Sequence, residues 1–112
     1  LDLARTGEDF QGAESFHGLF NKPGNTDSNA LKAKVLALHG WDDPMVPPAD
    51  VTALAEELTA GGADWQIHGY GNTLHAFTNP EANAPDMGAM YQADADRRSW
   101  QAMENFLAEA FA

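Results

Sequence analysis

The spacing of apolar and polar positions alternates extended runs with helical ones. Val35-Leu36-Ala37-Leu38 is a continuous apolar run rich in branched residues, the pattern of a strand buried on both faces. His39-Gly40 ends it, and Trp41-Asp42-Asp43-Pro44 turns the chain outward. Pro47-Pro48 then opens a stretch with Val51, Leu54, Ala55 and Leu58 at helical spacing, which Gly61-Gly62 closes. Proline suits the first helical position because its missing N–H would have had no intrahelical partner. Upstream, residues 1–7 read as the end of a helix, with Arg5 in its last turn and Gly7 as the stop. Residues 12–18, bounded by glycines and holding Phe16, read as a strand in which Glu14 sits badly. A charge pointing out of a strand is one device that blunts an exposed edge. Residues 21–28 are dense in turn formers and read as a loop. Residues 64–70 predict a third strand with Trp65, Ile67 and Gly69 on one face, and 71–85 an irregular loop carrying His75, Phe77 and Pro80. Over 93–111 a closing helix presents Trp100, Met103, Phe106, Leu107 and Phe111 as one stripe, expected to be core.

Helix end, strand, strand, helix, strand, helix is an α/β order: three mainly parallel strands flanked by helices. One domain over residues 1–112 accounts for the length, with no repeats or linkers to divide it.

Composition narrows the partners. Seventeen acidic residues against six basic ones give a formal charge of −11, a field that repels phosphate backbones and anionic lipid surfaces. Nucleic acid and membrane partners are therefore not expected, and the acidity reads as solubility rather than a cation site. No apolar run is long enough to cross a bilayer and no signal peptide opens the chain, so cytoplasm is the default expectation. The sequence holds no cysteine, which excludes disulfides, thiolate metal sites and a cysteine nucleophile within it. It opens on Leu1 in what reads as mid-helix, so more chain is expected upstream.

Two residues fall in loops after consecutive strands, Asp43 and then His75. Such loops lie at the sheet edge where α/β proteins place their ligands. A carboxylate that accepts an imidazole N–H fixes the tautomer and leaves the other ring nitrogen free as a general base. Asp before His, each after a strand, is also the α/β-hydrolase order. Spacing alone leaves open a helix-capping aspartate and a hydrogen-bonded surface histidine. A metal reading uses His17, His39 and His75 with Asp43, since all three histidines fall at or after predicted strand ends. No short ligand spacing supports it, so no metal ligand and no cofactor is assigned. His68 reads as a packed or rim residue.

The segments LALHGWDDPMVPP, ADWQIHGYGNTLHAFTNPEA and MYQADADRRSWQAMENFL resemble the C-terminal part of the dienelactone hydrolase family. GAESFHG resembles the strand before them, and LDLARTG the end of the helix after the nucleophile. The resemblance implies a partial α/β-hydrolase fold and hydrolysis of a small ester or lactone by a Cys or Ser nucleophile, a His base and an Asp. Carried over by motif, the Asp is Asp43, which precedes Pro44-Met45-Val46-Pro47, and the His is His75 of His-Ala-Phe; Asp42 falls at a variable position.

The departures matter as much. The sequence has no Gly-x-Cys/Ser-x-Gly turn, and Ser15, Ser28 and Ser99 fall in a strand, a polar loop and a helix. A nucleophile and its oxyanion-hole donors are thus missing, and the chain alone is expected to be a very poor hydrolase. Glu14 stands where the resemblance implies an apolar residue. In the family the strand resembling GAESFHG is interior, so its edge needs a cover. An obligate homodimer through the strand around Ala13 and Phe16 is expected, with a missing N-terminal half as the other cover. The alternative function is a non-catalytic homodimerising module.

Overall fold

The apolar run around Val35 becomes the middle strand of a parallel sheet. In the computed structural model, which describes residues 1–20 and 30–112, β1 (Gly12–Phe16) and β3 (Trp65–Tyr70) flank β2 (Lys34–Gly40). Both pairings are parallel, with Gly12 opposite Lys34 and Val35 opposite Trp65 at their starts. The loop expected over residues 21–28 lies outside the described residues.

Parallel pairing needs crossovers, and the helix Pro48–Ala60 is the one from β2 to β3; helices cover both faces of the sheet. α1 (Asp2–Arg5) and α2 (Pro48–Ala60) cover one face, where Val35 and Ala37 pack with Ala4, Val46, Leu54 and Leu58. α3 (Ala93–Ala110) covers the other, where Leu36 and Leu38 pack with Phe77, Ala95 and Phe106. β2 is therefore buried on both sides, as its composition predicts. Pro48 does open α2, and its C-cap is Gly61, where a Cβ would lie 2.7 Å from the Leu31 side chain. Arg5 ties α1 to α2 by a forked pair to Glu57, at 2.8 and 2.9 Å.

Two expectations need correction. α3 buries only part of the predicted stripe: Phe106 is buried as expected, together with Ala95 and Ser99 and with Ala102 beside them, whereas Trp100 is 49% and Phe111 69% exposed. Small side chains let the helix lie close to the sheet, and the Phe106 ring fills the space over Gly12, 2.8 Å from where a Cβ would be. Trp100 and Phe111 are left outside; Trp100 reaches only the sheet margin, its ring 5.5 Å from that of Phe16. The loop over 71–85 is also more ordered than expected. It leads into an antiparallel hairpin, β4 (Asn83–Ala84) and β5 (Ala89–Met90), joined through a 3-10 turn at Pro85–Met87.

Among the described residues no strand pairs with the outer edge of β1. Glu14 lies opposite Leu36, so it points to the α3 face, and its Oε1 is buried without a hydrogen-bond partner among the described residues. Burial raises its pKa above the usual carboxylate value. The unfolded chain then ionises first as pH rises, so this group costs no stability below the unfolded carboxylate range and its full cost above the folded pKa. Glu14→Gln is expected to melt higher than the parent at pH 7, by a gap that closes as pH falls toward about 4. A gap independent of pH in thermal melts would show that the charge is not the source.

Candidate active site

Gly40 ends β2 and lets two loops meet. A Cβ at this position would lie 2.5 Å from the Leu74 carbonyl oxygen and 2.7 Å from that of Thr73. Main-chain bonds secure the approach, Trp41 N–H to the Tyr70 carbonyl and Asp42 N–H to the Thr73 carbonyl, each 2.9 Å. Asp43 N–H then donates to the Gly40 carbonyl at 3.1 Å, and Val46 N–H to the Asp43 carbonyl at 3.2 Å. The Val46 side chain is buried under α2, which anchors this turn in the core.

His75 is clamped from the other side by the hairpin. Its N–H donates to the Gly88 carbonyl at 2.9 Å, and its carbonyl accepts from Met90 N–H at 3.0 Å. Gly88 has φ 83° and lies so close to Pro44 that a Cβ would sit 2.3 Å from the proline ring, so the hairpin tip rests on the Asp43 turn. Ala76 follows at φ 58°, a left-handed conformation that persists in a non-glycine residue where its surroundings over-determine it.

The two loops bring Asp43 and His75 together as the motif implies. Asp43 Oδ2 lies 2.9 Å from His75 Nδ1, with the aspartate side chain fully buried and the histidine side chain 27% exposed. Asp43 Oδ1 accepts from Met45 N–H at 2.9 Å. A carboxylate only accepts, so the proton sits on His75 Nδ1 and Nε2 keeps its lone pair for a bound molecule. Burial without these bonds would be costly for a carboxylate; with them it becomes a fixed negative charge behind the imidazole.

The other histidines part company. His17 joins the site, its ring centroid 5.5 Å from that of His75 and 5.2 Å from that of Phe77, edge-on to both. His17 Nε2 lies 2.9 Å from Thr78 Oγ1. Burial and the neighbouring His75 push its pKa below the ordinary histidine value, against an upward pull from its own main chain and Asp43. His39 is buried between Phe20 and Trp41, with neither ring nitrogen bonded among the described residues, and burial lowers its pKa too. His68 pairs with Gln66 on the strand rim at 3.2 Å. Among the described residues no group of three or more His, Asp or Glu side chains is disposed to hold a metal ion. Ser15 lies within β1, and Ser99 is buried and donates to the Asp96 carbonyl at 2.9 Å; Ser28 lies outside the described residues. Sequence reading missed the hairpin clamp, for which Gly88 was the one available signal.

A parallel sheet whose successive strands end in an aspartate loop and a histidine loop, with helices on both faces, is part of an α/β-hydrolase fold. The chain belongs to the dienelactone hydrolase family, whose family model matches residues 1–111. It is similar to the solved structure named m3DLH, at 36% identity and a TM-score of 0.85 over 98% of this chain and 46% of that one. It is equally similar to P91, described as a dienelactone hydrolase-like promiscuous phosphotriesterase from metagenomic libraries, at 36% identity and a TM-score of 0.84 over 96% of this chain and 46% of that one. The chain thus spans about half the length of these two structures. The uncharacterized protein K02A2.1 of Caenorhabditis elegans is 36% identical over 115 residues, covering all of this chain and 73% of that protein.

Proposed function

We propose that the chain supplies the base and the orienting carboxylate of an ester or lactone hydrolase, and that the nucleophile comes from residues outside this sequence. The 2.9 Å contact between His75 Nδ1 and the buried Asp43 carboxylate carries this reading. A Cys or Ser nucleophile would attack the ester or lactone carbonyl while His75 Nε2 takes its proton. The same nitrogen then returns that proton to the departing alkoxide, and the acyl group stays on the nucleophile until water, deprotonated by His75, releases it. Asp43 steadies the imidazolium formed in each half-reaction. The 112 residues alone supply neither the attacking atom nor the amide that follows it, so they are expected to turn over esters very poorly. The reading takes the setting to be cytoplasmic; among the described residues no helix is long and apolar enough to cross a membrane.

The test is to express the chain with its upstream reading frame and follow p-nitrophenyl ester turnover, with His75→Ala as control. A rate that depends on His75 in the extended protein is expected. An extended protein that carries a Gly-x-Cys/Ser-x-Gly turn and yet shows no His75-dependent rate would overturn the proposal.

A second reading, a non-catalytic module that self-associates through the β1 edge around Ala13 and Phe16, draws on two observations. That edge lacks a neighbour among the described residues, and exposed Trp100 and Leu107 lie on the helix that packs beside it, with exposed Phe111 at its end. A two-fold partner would extend the sheet with an antiparallel neighbour. Sedimentation of this chain as a compact monomer at micromolar concentration would remove this reading.

A further inference from the structure

His17 enters the site from β1, an element that carries neither Asp43 nor His75. It stands one residue beyond the end of β1 at φ 39°, a left-handed conformation for a non-glycine residue. Its amide still donates to the Leu38 carbonyl at 2.8 Å, so the strained residue remains fastened to the central strand. Strain of this kind persists where the surroundings fix the residue, and it gathers at functional sites. The ring is half-buried, tied at Nε2 to Thr78 Oγ1 and set edge-on against both His75 and Phe77.

The histidine it touches needs such a neighbour. The Asp43 contact fixes one atom of the His75 ring, and a ring held at one atom can still tilt. An edge-on aromatic neighbour removes that freedom, because the contact depends on the angle between the rings, 71° here. Burial and repulsion from His75 favour the uncharged form of His17, in which it gives support without competing for the Asp43 charge. Thr78 keeps the supporting ring from turning away.

We infer that His17 is a positioning residue: tethered to Thr78, it braces the His75 ring so that Nδ1 stays on Asp43 and Nε2 stays aimed at the reacting atoms. This rests on the reading of His75 and Asp43 as base and orienting carboxylate. It can nevertheless be tested in this chain, because the hydrogen-bonded Nδ1 proton of His75 is observable by NMR without any nucleophile.

The experiment measures exchange of that proton with water in three variants. His17→Ala removes the brace and is expected to speed exchange about tenfold, the factor that corresponds to one well-oriented aromatic contact. His17→Phe keeps an edge-on ring without the Thr78 tether, and is expected to recover part of the protection. Thr78→Val keeps the histidine but cuts its tether, and is expected to fall between His17→Ala and the parent. Exchange unchanged in a folded His17→Ala, or in Thr78→Val if His17→Ala does not fold, overturns the inference. In the extended hydrolase His17→Ala should lower kcat with little change in KM, and His17→Phe should restore it in part. If exchange responds to His17 while ester turnover ignores His75, the brace stands and the hydrolase reading fails. If turnover depends on His75 while exchange ignores His17, the reverse holds.

Discussion

Asp43→Asn is expected to lower kcat of the completed hydrolase about 10⁴-fold, a size set by the loss of the productive tautomer in aspartate–histidine pairs. The local geometry decides which way the new amide turns. Met45 N–H needs an acceptor, and the retained Oδ1 provides it at the present 2.9 Å position. The amide nitrogen must then face His75 Nδ1, 2.9 Å from the atom it replaces. It donates where the carboxylate accepted, so His75 gives up its Nδ1 proton and carries one on Nε2 instead. A base already protonated on its working nitrogen cannot take a proton from the nucleophile. Nitrogen NMR of the isolated chain gives a second check: the His75 tautomer should switch from Nδ1–H to Nε2–H, with secondary structure unchanged. A variant that keeps the Nδ1–H tautomer, or loses less than tenfold in kcat, would show that Asp43 does not set the proton.

Phe77→Ala is expected to cost about 3–5 kcal/mol of folding stability, the range for deleting a buried aromatic ring. Phe77 is fully buried on the α3 face with Leu36, Leu38 and Phe106, and its ring stands edge-on to those of His17 and Tyr70, at 5.2 and 5.8 Å. Its carbonyl accepts from Gln92 N–H at 3.1 Å, just where α3 begins, and the Gln92 side chain accepts from Ala95 N–H at 3.0 Å to cap that helix. The residue thus joins the histidine loop, the sheet and α3. Small domains hold only about 5–15 kcal/mol in all, so the variant should sit near the edge of unfolding. Its melting temperature by circular dichroism should fall by roughly 15–30 °C. Phe77→Leu, which refills most of the space, should lose far less. A loss below about 1 kcal/mol for the alanine variant would mean that the cavity collapses and Phe77 is no keystone.

Much of this architecture is legible from the chain because a few segments carry unambiguous signals. A run such as Val35 to Leu38 has no polar face to offer, so only the middle of a sheet suits it, and Pro47-Pro48 marks where the next helix begins. Asp43 and His75 are legible for another reason: strand ends fix where loops emerge, and the motif spacing selects the second of two aspartates. The orientation of α3 is legible only in part. Phe106 of the predicted stripe does face the sheet, but the helix lies on the side where Ala95, Ser99 and Ala102 permit close approach, and Trp100 and Phe111 are left exposed. The β4–β5 hairpin escapes because strands of two residues hold no periodicity to detect. His17 shows in the sequence only as a histidine at the end of a strand. Its value lies in the angle between two rings, which spacing does not encode.

The missing side chain at Gly40 has a practical corollary. With two carbonyl oxygens lying within 2.7 Å of where a Cβ would sit, the approach of the Asp43 loop to the His75 loop is set by main chain touching main chain. The exposed Trp41, Met45, Met87 and Met90 could be varied with Asp43 and His75 expected to stay in register. Even alanine at position 40 would wedge the loops apart, so libraries should hold that codon constant.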